Sequence, residues 1–123
     1  MIINKRISII GLGYVGLPLA TEFAKKYKVI GYDISVIRIE ELKKGIDRTK
    51  EVTNKKLLTN NNLVFTNDFN LMKNSDFFIL TIPTPITKKN KPDLSILKKA
   101  TLTVAKVLKK GATIILESTV YPG

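Results

Sequence analysis

The stretch Ile7–Gly16 reads Ile-Ser-Ile-Ile-Gly-Leu-Gly-Tyr-Val-Gly, and it decides the fold. Residues Ile7–Ile10 form a short apolar run, which is typical of a strand buried on both faces of a parallel sheet. The residues after that run have the pattern G-x-G-x-x-G. An amphipathic segment follows and predicts a helix over Tyr14–Tyr27, with Pro18 in its first turn, where a missing N–H costs no hydrogen bond. This order of strand, glycine loop and helix predicts a phosphate-binding unit.

Each glycine of the loop has a physical task. Gly11 permits a tight turn, Gly13 lets a pyrophosphate approach the backbone, and Gly16 lets the helix pack closely against the strand. The N–H groups of Tyr14 and Val15, at the start of the helix, are expected to face the phosphates. A glycine-rich turn without a ligand is the alternative. The position of the loop between a predicted strand and a predicted helix favours a dinucleotide site.

Asp33 closes a second apolar run, about 20 residues after Gly11, which is the separation typical of the acid that binds the ribose of a dinucleotide. A carboxylate there accepts hydrogen bonds from ribose hydroxyls and repels a 2′-phosphate, so the predicted cofactor is NAD and not NADP. The alternative role of Asp33 is to cap the following helix. Arg38 either reaches the adenosine edge of the cofactor or is an ordinary surface arginine.

Further apolar runs alternate with amphipathic segments and predict a sheet with helices between its strands. Besides Ile7–Ile10, the predicted strands are Val29–Tyr32, Leu63–Phe65, Phe77–Ile82 and Thr113–Leu116. The polar segment Asp47–Asn62 predicts a short helix and surface loops. This alternation predicts the α/β class, with a Rossmann-like, doubly wound and largely parallel sheet in the strand order 3-2-1-4-5.

Two later helices have clear end signals. Ser35 is expected to cap a helix that runs to about Lys44, and Gly45 ends it. Asp93 is expected to cap a helix over Leu94–Lys110, which Gly111 ends. The apolar face predicted for this second helix consists of Leu97, Thr101, Val104 and Leu108.

Polar residues also follow the later strands. Thr84 lies between Pro83 and Pro85 after the fourth strand, and Ser118 and Thr119 follow the fifth. In a parallel sheet the carboxyl ends of all strands open onto one edge, where ligands bind at the topological switch point. These residues are therefore expected to share a rim with the glycine loop and the acid. Ordinary turn chemistry is the alternative for Thr84 and Ser118.

The composition excludes several classes of site. The chain has 123 residues with 0 Cys and 0 His, so it holds no disulfide, no thiol nucleophile, no imidazole base and no His–Cys metal site. No apolar run is long enough to span a membrane, and no secretory signal is expected. The net charge of +11 comes mostly from dispersed lysines, which indicates a solvated basic surface that favours an anionic ligand.

Several motifs in order resemble the UDP-glucose/GDP-mannose dehydrogenase family over nearly the whole chain. They are Gly11–Pro18, the pair Asp33 and Arg38, Pro83–Pro85, and the turn Glu117–Gly123. The loop Gly45–Val52 resembles the branch that oxidises UDP-N-acetylhexosamines for Vi-type capsule and O-antigen synthesis. By this resemblance the cofactor-contacting residues are Gly11, Gly13, Tyr14, Val15, Gly16, Asp33, Arg38, Thr84, Ser118 and Thr119.

The resemblance implies an enzyme that oxidises the C6 alcohol of a UDP-sugar to a carboxylate in two NAD-dependent steps, through a thiohemiacetal on a cysteine. Thr119 matches a catalytic threonine that helps to orient water. The expected domain is residues 1–123, an NAD-binding Rossmann domain truncated before its last strand, without the connecting helix, the cysteine segment or the sugar-binding domain. Such a chain is expected to be inactive alone, and the full-length enzyme is expected to be a cytoplasmic homodimer with no metal, nucleic acid or membrane partner.

Two other functions are compatible with parts of the sequence. A stand-alone NAD-sensing module would have the same glycine loop and Asp33 without catalysis. A nucleic-acid binder would explain the +11 charge. Dispersed lysines and the lack of an aromatic stacking platform argue against nucleic acid. The motifs Pro83–Pro85 and Glu117–Gly123 favour the dehydrogenase over the sensor.

Overall fold

A parallel five-stranded sheet forms the centre of the molecule. The computed structural model describes residues 4–83, 88–91 and 93–117. The strands are β1 (Arg6–Ile10), β2 (Lys28–Tyr32), β3 (Leu63–Thr66), β4 (Phe77–Leu80) and β5 (Thr113–Leu116). They lie in the order β3-β2-β1-β4-β5, and every neighbouring pair is parallel. The predicted α/β class and strand order are confirmed.

Helices connect the strands and cover both faces of the sheet. They are α1 (Gly16–Phe23), α2 (Val36–Lys43), α3 (Asn54–Thr59), a 3-10 helix (Phe69–Met72) and α4 (Ser95–Ala105). One apolar cluster joins β1, β2 and β3 to α1, α2 and α3 and is centred on Ile9, Leu17 and Leu42. The other joins β4 to α4 and the 3-10 helix through Phe78, Val104 and Met72. The sheet is therefore doubly wound, as predicted.

Two helices are shorter than their patterns predicted. Helix α1 occupies Gly16–Phe23 instead of Tyr14–Tyr27, because Tyr14 and Val15 belong to the turn that leads into it. Helix α4 ends at Ala105, where tighter bonds from Lys106 N–H to the Thr103 carbonyl and from Val107 N–H to the Val104 carbonyl replace the α-helical pattern. Strand β4 likewise ends before Thr81, short of the predicted Ile82.

The predicted apolar face of α4 is partly wrong. Val104 is buried and Leu97 is partly buried, but Thr101 and Leu108 are exposed. The buried positions next to Val104 are Ala100 and Val107, three or four residues away along the helical repeat. The first-turn cap also differs, because the helix begins after Leu94, and Asp93 instead accepts the N–H of Ser95 at 3.0 Å.

The signals around α2 are confirmed. The Ser35 hydroxyl accepts the N–H of Arg38 at 3.2 Å and so caps the helix. Gly45 follows Lys44 with a φ of +81°, the left-handed conformation that ends many helices at glycine. This cap fixes where α2 starts relative to β2, and therefore where Asp33 and Arg38 lie.

Strand β5 is the main departure from the predicted burial. An apolar run predicted a strand buried on both faces, yet all four residues of β5 are exposed, and Leu116 retains 53% of its accessible surface. Within the described residues, β5 pairs only with β4 and forms an edge of the sheet. The apolar pattern alone does not distinguish a central strand from an edge whose faces the described helices leave open. No helix in the described part of the chain is long and apolar enough to cross a bilayer.

Candidate dinucleotide-binding site

The carboxyl ends of β1, β2, β4 and β5 enclose a cleft of about 360 Å³. Small-molecule sites usually occupy about 300–1,000 Å³. The cleft is lined by Gly11, Leu12, Gly13, Tyr14, Val15, Asp33, Thr81, Ile82, Pro83 and Glu117. The glycine loop and Asp33 therefore share one rim at the switch point of the sheet, as the sequence predicted.

Gly11 makes the tight turn at the end of β1. Its φ is +98°, a conformation that favours glycine because residues with a Cβ are strained there. Its N–H donates to the Tyr32 carbonyl at 2.9 Å, so the chain turns directly after its last contact with β2. A Cβ on Gly11 would also lie 2.8 Å from the Thr81 carbonyl oxygen. The predicted turn is confirmed, and the end of β4 leaves no space for a side chain there.

Gly16 lets α1 pack against β1. A Cβ built on Gly16 would overlap the Gly11 carbonyl oxygen and the Thr81 Oγ1. The Thr81 hydroxyl lies 2.5 Å from the Gly11 carbonyl and 3.1 Å from the Ile10 carbonyl and donates to this pair. Thr81 thus fastens the glycine loop to β4. Sequence reasoning missed Thr81 because it treated the residue as part of a strand; its signal was the one hydroxyl in that apolar run.

Gly13 is the open position of the loop. No described atom lies within 4 Å of a Cβ built on it, so the backbone faces free space. Helix α1 begins without a side-chain cap, and no acceptor among the described residues takes the N–H of Tyr14 or Val15. Free N–H groups at a helix start, beside a bare backbone, fit a pyrophosphate.

Asp33 lies at the end of β2, and its carboxylate binds the glycine loop. Its Oδ2 accepts the Leu12 N–H at 2.9 Å, and its Oδ1 accepts the Ser35 N–H at 2.9 Å. The capping alternative is wrong, because Ser35 caps α2 and, of the N–H groups at the start of that helix, Asp33 accepts only that of the cap residue. A carboxylate has about four lone-pair sites, so two remain for ribose hydroxyls. The residue is half-buried and lines the cleft, which fits the predicted ribose contact.

Arg38 is not a surface arginine. Its side chain is only 11% exposed, and its Nε and Nη2 donate to the Leu12 carbonyl at 2.8 and 2.6 Å. Its Nη1 donates to Asp47 Oδ1 at 2.9 Å. Arg38 therefore lies beside the glycine loop, and its contact with the adenosine edge stays a prediction.

Asp47 is the polar centre of the loop that follows α2. It accepts bonds from the Thr49 N–H and hydroxyl, the N–H groups of Glu51 and Val52, and Arg38. Burial alone would raise the pKa of its carboxyl. The hydrogen bonds from Thr49, Val52 and Arg38 outweigh burial and lower the pKa to about 2. From the sequence alone, this loop indicates only a resemblance to one branch of the family.

The far wall of the cleft is formed by residues after β4 and β5. The Glu117 N–H donates to the Leu80 carbonyl at 2.9 Å, which continues the pairing of the two strands and brings Glu117 to the rim. Glu117 had been noted only as part of a turn. Thr84, Ser118 and Thr119 lie outside the described residues, so their predicted contacts stay predictions. No group of side chains suited to a metal ion occurs in the described ranges.

Comparison with known proteins supports this arrangement. Residues 5–123 match the model of the UDP-glucose/GDP-mannose dehydrogenase family, NAD binding domain. The chain is 52% identical to protein CapL of Staphylococcus aureus over 98% of its length, and 50% identical to a UDP-N-acetyl-D-glucosamine 6-dehydrogenase of Pseudomonas aeruginosa over 96%. The solved UDP-D-ManNAc dehydrogenase of Pyrococcus horikoshii superposes on 96% of the chain with a TM-score of 0.87 and 40% identity.

The chain spans 28% of the length of both curated relatives and 29% of the Pyrococcus chain. These relatives also agree with the predicted resemblance to the UDP-N-acetylhexosamine branch. With a family match over 119 of its residues, counted from residues 5–123, and a glycine loop whose geometry fits a dinucleotide, the chain belongs to the UDP-glucose/GDP-mannose dehydrogenase family and forms its NAD-binding domain.

Proposed function

We propose that this chain is the NAD-binding part of a nucleotide-sugar 6-dehydrogenase. One observation carries the proposal: the bare backbone at Gly13, the Tyr14 and Val15 N–H groups, which have no acceptor among the described residues, and the Asp33 carboxylate lie on one cleft. The backbone groups bind the pyrophosphate, and the carboxylate binds the adenosine ribose. When bound, NAD accepts a hydride from the substrate carbon.

The proposed substrate is a UDP-N-acetylhexosamine whose C6 alcohol is oxidised to a carboxylate for surface polysaccharide synthesis. The names of the Pseudomonas and Pyrococcus relatives, both dehydrogenases of UDP-N-acetylhexosamines, support this class. Thr84, Ser118 and Thr119 complete the cofactor site in this proposal, and Thr119 orients water near the reacting carbon. The whole enzyme acts as a cytoplasmic homodimer.

These 123 residues contain 0 Cys, so the thiohemiacetal that the family resemblance implies has no sulfur to form on. We therefore expect the chain to bind NAD without turning over a nucleotide sugar. Incubation with NAD and UDP-N-acetylglucosamine, followed at the NADH absorbance band, tests this. Sustained NADH production that depends on the protein would contradict it.

NAD binding is tested by titration calorimetry of the wild type with NAD and with NADP. We expect NAD to bind more tightly. Asp33→Ala is expected to weaken NAD binding by about tenfold, the value of hydrogen bonds to a charged group. The matched control is Asp68→Ala, because Asp68 also follows a strand and accepts a local N–H, that of Asn70, at 3.0 Å. Equal NAD affinity in Asp33→Ala and Asp68→Ala would show that Asp33 accepts local N–H groups without binding the cofactor.

A stand-alone NAD sensor is the alternative and predicts the same binding data. The two functions differ in what else the protein recognises. The gene sequence beyond residue 123 separates them, since the enzyme requires a cysteine and a second nucleotide-binding domain.

A further inference from the structure

Asp33 and Arg38 bind the two polar main-chain groups of one residue. The Asp33 carboxylate accepts the Leu12 N–H, and the Arg38 guanidinium donates to the Leu12 carbonyl. Both side chains therefore lie beside the same short piece of the glycine loop. An acid at this place selects NAD, whereas an arginine near it accommodates the 2′-phosphate of NADP. The chain thus holds both kinds of residue next to the expected ribose position.

Asp47 determines what this arginine can do. It lies nine residues farther along, and its Oδ1 accepts from Arg38 Nη1 at 2.9 Å. The Asp47 side chain is only 1% exposed, and four bonds from Thr49, Glu51 and Val52 hold it in place. The other arginine of the loop, Arg48, pairs with Glu41 instead. Asp47 is therefore a fixed counter-charge on Arg38.

We propose that Asp47 is a specificity residue that withholds Arg38 from a 2′-phosphate and so reinforces the choice of NAD over NADP. The inference rests on the proposed NAD site. The Nε/Nη2 edge of this guanidinium is bound to the Leu12 carbonyl, and its Nη1 is bound to a carboxylate that offsets its charge, so three of its five donors and its charge are already engaged. A 2′-phosphate that approached it would have to displace a buried carboxylate that has no other cation partner among the described residues.

The ionised state of the Asp47 carboxylate favours its ion pair with Arg38 at every physiological pH. The pKa of Asp47 is about 2, because hydrogen bonds outweigh its burial, and arginine stays protonated. The pair therefore persists near neutral pH without titrating. Asp33 repels the phosphate directly, and Asp47 removes the cation that would otherwise offset this repulsion.

The test compares the ratio of the NADP and NAD dissociation constants in the wild type and in Asp47→Asn. Asparagine keeps the size of the side chain and removes its charge. We expect the Kd for NADP to fall by about tenfold relative to that for NAD, the contribution of a charge-assisted bond to phosphate. In Arg38→Ala/Asp47→Asn this gain should vanish, since the cation that produces it is gone.

Two controls separate the effect of the Arg38–Asp47 pair from a general charge effect and from disturbance of the loop. Glu51→Gln removes one negative charge from the same loop without touching Arg38, so a general charge effect would appear there too. Thr49→Val removes one hydroxyl bond to Asp47 and disturbs the loop while the Arg38 pair remains. Both controls should keep the wild-type ratio of dissociation constants.

An unchanged ratio in folded Asp47→Asn, or an equal gain in Glu51→Gln, would overturn the inference while leaving NAD binding intact. Failure of the wild type to bind NAD would overturn the proposed function first, and the inference with it. Should Asp47→Asn not fold, Arg38→Gln carries the test. A withheld arginine predicts an unchanged ratio there, and a selective loss of NADP affinity would contradict it.

Discussion

Two aspartates lie at opposite edges of the same sheet, and their carboxylates have different partners. Asp76 precedes β4 at the amino edge, where its Oδ2 accepts the Arg6 N–H and its Oδ1 accepts from Lys109 Nζ, both at 2.9 Å. Asp33 follows β2 at the carboxyl edge and accepts only main-chain N–H groups in the described part of the chain. The fold pairs one carboxylate with a cation, and the other lies beside a cleft without a cation partner among the described residues.

The difference shows how a parallel sheet separates stability from binding. At the amino edge, Asp76 joins three strands, because its own N–H donates to Arg6 and its carbonyl accepts from Thr113. At the carboxyl edge, and within the described residues, the Tyr14 and Val15 N–H groups have no acceptor and the Asp33 carboxylate has no cation partner. Substitution of Asp76 should therefore cost stability, and substitution of Asp33 should cost ligand affinity.

The largest expected effect comes from two glycines of one loop. Gly16→Ala places a methyl group on the Gly11 carbonyl and Thr81, so we expect the free energy of unfolding to fall by about 3 kcal/mol or more. Gly13→Ala meets no described atom within 4 Å and should cost less than about 1 kcal/mol, yet it should weaken NAD binding because its methyl group occupies the phosphate position. Urea denaturation and calorimetry measure the two effects.

Equal destabilisation by the two alanines would contradict this division within the loop. So would a Gly13→Ala variant that binds NAD as tightly as the wild type. The Gly13 variant serves as the control for Gly16, because both add the same methyl group to the same turn.

The next effect is expected at Asp76. The Arg6 N–H, and then the Lys109 ammonium, hold the pKa of Asp76 below its usual range. A lowered folded pKa stabilises the protein above the unfolded pKa, near 4, and this stabilisation is lost as the pH falls through the folded value. Asp76→Asn should lower the urea midpoint at neutral pH and leave the Kd for NAD unchanged. Weaker NAD binding in this variant would show that the two edges are coupled.

The contribution of Asp47 to the free energy of unfolding should be lost only at acid pH. With a folded pKa of about 2 against about 4 for an unfolded aspartate, its stabilising contribution is complete above pH 4 and is lost between about pH 4 and 2. The slope of unfolding free energy against pH in that window should be shallower in Asp47→Asn. Thr49→Val removes the hydroxyl bond that lowers this pKa most, so it should make the slope shallower as well, though less so than Asp47→Asn. Identical slopes in wild type and Asp47→Asn would mean that the carboxyl titrates normally.

The smallest effect is expected on the outer face of α1. Glu22 and Lys25 form an exposed ion pair at 2.9 Å, and exposed pairs contribute little because water and salt screen them. Glu22→Gln should change neither the urea midpoint nor the NAD affinity measurably. A clear loss of either would show that the charge of Glu22, which lines a second cleft between α1 and β5, separate from the dinucleotide cleft, has a role beyond the pair.

The sequence predicted the site best where one residue type has one geometric use. Gly11, Gly13 and Asp33 line one cleft and Gly16 makes the predicted close packing contact, because a tight turn, a close approach and a strand end each constrain the residue. It failed on the ends of α1 and α4 and on the apolar face of α4, where Thr101 and Val107 fit similar helical patterns. Burial then depends on the neighbouring strand and not on the helix itself.

Local sequence determined which segments form strands, where the glycine turn lies and that an acid, Asp33, follows β2, because period, turn geometry and spacing are short-range properties. Only the tertiary structure decided that Thr81 fastens the loop, that Arg38 is buried on Leu12, and that Asp47 neutralises it. Those contacts join residues that lie 70, 26 and 9 positions apart. Hydrogen bonds between residues so far apart in the sequence depend on how the sheet and helices pack. No local sequence pattern predicts that packing.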